Sequence, residues 1–203
     1  RAGSKRIVGK NTRDLAGHPL LAYAIAAAQE SGIFERIIVS TDAWRTGHLA
    51  MAYGATEWVR RPEQLAGDWS PDIGWIQHAM TIARHWVWKP RQPGESRTEY
   101  QAAPDPQQYD AFAIIRPTSP FRRGEWIRKA WETFLALQPV DSLRAMRPCG
   151  EHPGKMWRPI WDHGRLVTPL LPFRLDQSPW HSSPTQELPP VYVQTAALEI
   201  AWT

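Results

Sequence analysis

The chain has 203 residues, 42% of them hydrophobic and 22% charged, with a formal net charge of +4. Those values describe an ordinary globular protein and exclude collagen-like, low-complexity and disordered chains. This length predicts one domain with a small appendage, able to bury roughly 70% of its unfolded surface without a metal or disulfide staple. The single cysteine, Cys149, excludes an intrachain disulfide and a cysteine-built metal site. It fits a reducing compartment, so a cytoplasmic protein is expected. No stretch of 18 apolar residues occurs, so no membrane span is expected, and the opening residues do not read as a signal peptide.

Basic charge gathers at the start. Residues 1–13, RAGSKRIVGKNTR, carry Arg1, Lys5, Arg6, Lys10 and Arg13 and no acid, with Gly3 and Gly9 between them. Two readings fit. One is a solvated basic tail. The other is an anion-binding loop, in which glycines admit backbone N–H groups to a phosphate and the cations neutralise it. Neither the phosphate-loop pattern GxxxxGK(S/T) nor GxGxxG is present. The patch is short and lacks interleaved aromatics, so nucleic acid is not the expected partner.

After this loop, Pro19–Ser31 is rich in helix formers and stops at Gly32, a suitable residue to end a helix. Arg36–Ser40 is a β-branched run that reads as a buried strand. A helix from Trp44 to Tyr53 stops at Gly54, and Ala55–Arg60 reads as the next strand. This alternation predicts an α/β protein with a largely parallel sheet. Ile73, Ile76, Met80 and Ala83 mark a helix over Pro71–Trp86. Lys89–Gln108 is polar and proline-rich without periodicity, and is expected to be a mobile surface loop. Tyr109–Arg116 is another strand. Ile127, Ala130, Phe134 and Leu137 mark a fourth helix, and Ser142–Met146 a short strand. Trp126 and Trp131, on that helix, are expected in the core or at an interface. Beyond Pro148 the prolines and tryptophans recur without a helix. A hairpin turning at Gly164 is expected between Met156–Ile160 and Leu166–Pro169, with strands at Val191–Val193 and Leu198–Trp202. Trp157, Trp161 and Trp180 in this appendage offer apolar surface that a partner subunit could cover.

The ordered motifs RAGSKRIVGKN, VSTD, RRPEQLAGD, IRPTSPFR, EHPGKMW and LPPVYVQT resemble the acylneuraminate cytidylyltransferases, over essentially the whole chain. The resemblance implies a single three-layer, Rossmann-like domain of the nucleotide-diphosphosugar-transferase type over 1–203, with an irregular β arm at about 150–190 that dimerises. It implies CTP and a nine-carbon 2-keto sugar acid as substrates, the CMP-sugar and pyrophosphate as products, Mg²⁺ as cofactor, and a place in cell-surface glycan synthesis. It places Arg1, Ser4, Lys5, Lys10, Asn11, Arg61, Ser70 and Asp72 at the nucleotide, with Lys10 and Arg1 as the catalytic cations. It places Arg116, Thr118, Lys155 and Gln194 at the sugar acid.

Other readings of these residues stand beside the resemblance. Lys5, Lys10 and Lys155 could be solvated lysines. Asp72 could cap the helix that begins near Pro71. Arg116 could pair with an acid such as Asp110 or Glu125. His78 and His85 read as structural, and His152 fits either role. The chain also departs from the resemblance. Thr185 stands where the pattern has an arginine, and Ala196 where it has a glycine. Thr118 occupies the place of a metal aspartate in the KDO-activating relatives, which favours the sialic-type branch. The resemblance puts the acidic metal pair beyond Thr203. A degenerate nucleotide-binding homologue and a nucleotidylyltransferase of different sugar specificity are the alternatives.

Overall fold

The computed structural model describes residues 7–88, 100–102, 109–160, 166–172 and 178–203. Among them the elements run β1 (Asp14–Leu15), β2 (His18–Pro19), α1 (Leu20–Ser31), β3 (Ile38–Thr41), α2 (Trp44–Ala52) and β4 (Glu57–Arg60). There follow α3 (Asp72–His85), β5 (Trp86–Trp88), β6 (Tyr100–Ala102), β7 (Ala111–Ile115), α4 (Gly124–Ala136), β8 (Ser142–Pro148), β9 (Trp157–Pro159), β10 (Val167–Pro169) and β11 (Tyr192–Trp202). The chain divides into two compact units, 1–144 with 197–203, and 145–196. No described helix is long and apolar enough to cross a membrane.

In the first unit, Leu21, Ala24, Ile25 and Ala28 recur at helical spacing along α1 and are buried. Gly32, at φ 67°, ends the helix as expected, because a residue without Cβ adopts the left-handed conformation at little cost. Gly124, the first residue of α4, lets that helix approach α1 closely: a Cβ there would come within 2.6 Å of the Ser31 backbone nitrogen. Arg128 of α4 then bonds the last carbonyls of α1, with Nε donating to Ser31 O at 2.8 Å and a terminal nitrogen to Glu30 O at 3.1 Å. Phe134 and Ile127 are fully buried on α4, and Phe134 packs against Trp131 and Trp202. Trp126 is not part of this core. It is 55% exposed, with the Arg123 guanidinium over its ring.

The strands depart from the expected, largely parallel sheet. β3 and β4 are parallel, with Ile38 opposite Glu57 and Thr41 opposite Arg60, joined through α2. β7 instead pairs antiparallel with β11, Ile115 opposite Leu198 and Ala111 opposite Trp202. The partner of β7 is thus supplied by a segment some 80 positions further along the chain, a pairing that period-2 patterning does not report. Tyr100–Ala102, expected within the irregular loop, is a strand, and it pairs antiparallel with Trp86–Trp88, immediately after α3. The rest of the expected loop lies outside the described residues.

Arg36, just before β3, ties the layers together. It forms an ion pair with the fully buried Glu57 and donates at 2.8 Å both to Ala83 O and to the Tyr109 hydroxyl. Among the described residues, β3 has a strand partner only in β4, and β7 only in β11.

The second unit holds the antiparallel β9–β10 hairpin, Trp157 opposite Pro169 and Pro159 opposite Val167. Gly164 and Trp161 lie outside the described residues. His152 organises the 3₁₀ turn Pro153–Lys155: its Nδ1 accepts the Gly154 N–H at 3.0 Å, while Nε2 lies 3.1 Å from Pro189 O. Its role is therefore structural. The expected strands at Val191–Val193 and Leu198–Trp202 are one strand, β11, interrupted at Ala196 by a left-handed φ of 54°.

Candidate functional site

A cavity of about 860 Å³ lies within the first unit. Its walls are the apolar faces of α1 and α3 and consecutive residues of both β3 and β7. Its polar lining comes from the loops that follow β4 and β7, from the end of the basic opening, from Thr41 and Thr46, and, at the opposite ends of β3 and β7, from Glu35, Arg36, Tyr109 and Asp110. In open α/β sheets the carboxyl ends of the strands, here those followed by Arg61 and Arg116, are where ligands bind.

Lys10 and Asn11 form a 3₁₀ turn that begins after Gly9, whose φ is 62°. The Thr12 backbone N–H and side-chain hydroxyl both donate to Gly9 O, at 2.9 and 3.0 Å, which fixes the turn. Lys10 and Asn11 are half-buried and line the cavity. Arg1, Ser4 and Lys5 lie outside the described residues.

Arg61 follows β4 directly. Its Nε donates to Ser40 Oγ at 3.1 Å, and a terminal nitrogen to Ser40 O at 3.0 Å. Its guanidinium lies over the ring of Trp75, 4.5 Å from the centroid. Ser70 lines the cavity, but its hydroxyl donates to Gln64 O at 2.9 Å and so closes its own loop.

Asp72 opens α3 and faces two partners. One carboxylate oxygen accepts the Trp75 indole N–H at 2.8 Å, the other an Arg116 nitrogen at 2.6 Å. Arg116, just past β7, also reaches Glu199 at 3.3 Å. Its partners are Asp72 and Glu199, not the Asp110 or Glu125 that the sequence suggested. Burial alone would raise the Asp72 carboxyl, but the bonds from Arg116 and Trp75 and the charges of Arg116 and Arg61 outweigh it and hold it below its ordinary value. Burial opposes the charge on Arg116 too, and its two carboxylate partners more than compensate, raising it. His78, on α3, is held below the usual imidazole value by burial and by the charge of Arg61.

Thr118 is exposed at the rim of the cavity. Lys155 and Gln194 belong to the second unit. Lys155 donates to Ser183 O at 2.9 Å, so it is engaged within that unit. Lys10, Asn11, Arg61, Ser70, Asp72, Arg116 and Thr118 are thus brought to one cavity. Sequence reasoning missed Trp75, Ser40 and Glu199. Trp75 alone left a trace, its i, i+3 spacing from Asp72 on a helix.

Of the four cations that line the cavity, Arg36 is paired with Glu57, and Lys10, Arg61 and Arg116 supply an ammonium and two guanidinium groups, which suit an anionic ligand that presents several oxygens. The acidic side chains do not suit a built Mg²⁺ site. Asp72 is engaged by Arg116 and Trp75, and no group of three metal-ligating side chains occurs among the described residues.

Comparisons with known proteins find sequence relatives and a shared fold. Residues 1–70 match the family described as cytidylyltransferase. The chain is 32% identical, over 94% of its length, to the N-acylneuraminate cytidylyltransferase of Escherichia coli O18:K1:H7, of which it covers 38%. It is 36% identical, over 84% of its length, to the CMP-N,N'-diacetyllegionaminic acid synthase of Legionella pneumophila, covering 64% of that protein. It is 30% identical, over 68% of its length, to a pseudaminic acid cytidylyltransferase of Campylobacter jejuni, covering 51%. The chain therefore spans between about two fifths and two thirds of the length of these relatives. A solved CMP:2-keto-3-deoxy-manno-octonic acid synthetase complexed with CTP superposes with a TM-score of 0.59 at 11% identity, over 99% of this chain and 70% of that one, which shows a common α/β fold. On the strength of the sequence relatives, matched across most of its residues, the chain belongs to the cytidylyltransferase family.

Proposed function

We propose that this chain forms the nucleotide-binding core of a CTP-dependent nucleotidyltransferase that activates a nine-carbon 2-keto sugar acid. The observation that carries the reading is the gathering of Lys10, Asn11, Arg61 and Arg116 around one cavity beside the carboxyl ends of β3, β4 and β7. The relatives named for three different sugar acids of this class support it.

In the proposed reaction the anomeric hydroxyl of the sugar acid attacks the α-phosphorus of CTP. A bond forms from the anomeric oxygen to that phosphorus, the bond to the pyrophosphate oxygen breaks, and the hydroxyl proton leaves to solvent. No covalent enzyme intermediate is needed, so positioning and charge neutralisation supply the catalysis. Lys10 stabilises the charge that grows on departing pyrophosphate. Arg61 holds the nucleotide, and Arg116 faces the carboxylate of the sugar acid. Mg²⁺, where bound, would supply further neutralisation of the triphosphate.

Pyrophosphate release by the full-length gene product, with CTP and a panel of N-acetylneuraminate, legionaminate and pseudaminate, tests the proposal. Calorimetric binding of CTP, UTP, ATP and GTP accompanies it. CTP is expected to bind tightest, and ATP binding more tightly than CTP sinks the reading. CTP binding with no turnover of any acid identifies a nucleotide-binding homologue instead. Lys10→Ala should stay folded and lower kcat by roughly 10²-fold, the scale of losing one preorganised charge donor. An unchanged kcat would remove Lys10 from the phosphate site.

A further inference from the structure

Arg61 and Arg116 are joined by a continuous row of contacts. Ser40, in β3, accepts two bonds from Arg61. Arg61 lies over Trp75. Trp75 donates its indole N–H to Asp72, and Asp72 accepts from Arg116. Arg116 also meets Glu199 of β11. The first turn of α3 thus spans the cavity from the end of β4 to the end of β7.

We propose that Trp75 is a positioning residue for both arginines: its ring face sets the plane of Arg61, and its N–H aims the Asp72 carboxylate at Arg116. This rests on the reading of Arg61 and Arg116 as the nucleotide and sugar-acid contacts.

The two functions of the indole are chemically separable. A guanidinium over an aromatic face is held by the ring quadrupole, and any aromatic ring of similar size retains part of that attraction. The N–H···O bond needs a donor at the ring edge, which phenylalanine lacks. A carboxylate with one fixed oxygen has one orientation. Without that bond, Asp72 can turn about its side chain and present either oxygen to Arg116. Asp72 is half exposed, and among the described residues its carboxylate is bonded to these two side chains. A free substrate carboxylate would then meet an arginine whose direction is less defined, which weakens sugar-acid binding rather than the bond-making step.

Trp75→Phe and Trp75→Leu, made in the full-length gene product, test this. Trp75→Phe is expected to leave the KM for CTP within about twofold and to raise the KM for the sugar acid several-fold. Trp75→Leu is expected to raise both, that for CTP by about tenfold. In both, kcat should fall less than about threefold, because neither change removes a group that meets the reacting atoms. A second readout needs no substrate. The Arg61 Nε–H signal in a ¹H–¹⁵N spectrum, assigned with Arg61→Lys, reports the bond to Ser40. It should persist in Trp75→Phe and be lost to exchange in Trp75→Leu. If the wild-type protein turns over no sugar acid, the functional reading fails, and the arginine signal still decides whether Trp75 positions Arg61. Unchanged KM values and an unchanged Arg61 signal in folded Trp75→Leu would overturn the inference. So would a Trp75→Phe protein as impaired toward CTP as the leucine variant.

Discussion

Ala196 is an L-residue in a conformation that suits glycine. Its φ of 54° interrupts β11, and a residue with a Cβ is held there at a cost of roughly 1–2 kcal/mol. Ala196→Gly removes that cost and adds about 0.5–1 kcal/mol of chain entropy to the unfolded state. A net stabilisation of about 0.5–1 kcal/mol is expected, read as a higher urea midpoint at unchanged slope. An unchanged or lower midpoint would show that the backbone at 196 carries no strain. The sequence singled out this position by its departure from the family's glycine, but the reason, a left-handed φ, is visible only in the fold. At the cavity Lys10 was legible as a cation of a glycine-punctuated basic loop, whereas Asn11, Arg61 and Arg116 were placed there by the resemblance of their motifs to the family. The partners that fix them were not legible. Glu199 reaches Arg116 from 83 positions away, and no local pattern announces that pairing.

Among the elements, helices could be read more closely than strands because their stops are local. Gly32 ends α1 and Gly54 follows α2, both with positive φ, as the sequence suggested. Strand pairing depends on segments far apart, which is why Tyr109–Arg116 and Leu198–Trp202 were each recognised as strands while their antiparallel pairing was not. The interface between α1 and α4 offers an element-scale test. A Cβ at Gly124 would meet the backbone nitrogen of Ser31 and the carbonyl carbon and Cβ of Glu30, none of which is the flexible end of a side chain. Gly124→Ala should therefore push α4 away from α1. The expected loss is about 1–3 kcal/mol, measured by urea unfolding, although alanine is the better helix former in general. Stability equal to that of the parent would mean that the two helices separate without strain.

At the scale of the whole molecule, the described residues of the second unit leave much apolar surface open: Leu188 is buried, but Met146, Trp157, Ile160, Leu170 and Tyr192 are exposed. The regular structure described there is a short hairpin, two 3₁₀ turns and the ends of two longer strands. Apolar side chains on so slight a framework are expected to be covered by a second copy of the chain. Sedimentation of the intact protein should give a dimer at micromolar concentration, and a version lacking 150–190 should give a monomer. A monomeric intact protein would leave the second unit without a dimer role. The cavity of the first unit has a different consequence. It is flanked by strand edges, β3 on one side and β7 on the other, each with a strand partner on its far side only among the described residues. Edge strands present rows of amide donors and carbonyl acceptors, and an extended chain laid along them gains a bond at every second residue. Among the described residues, the backbone groups of β3 and β7 on the cavity side are therefore open to hydrogen bonds from an extended segment laid between them.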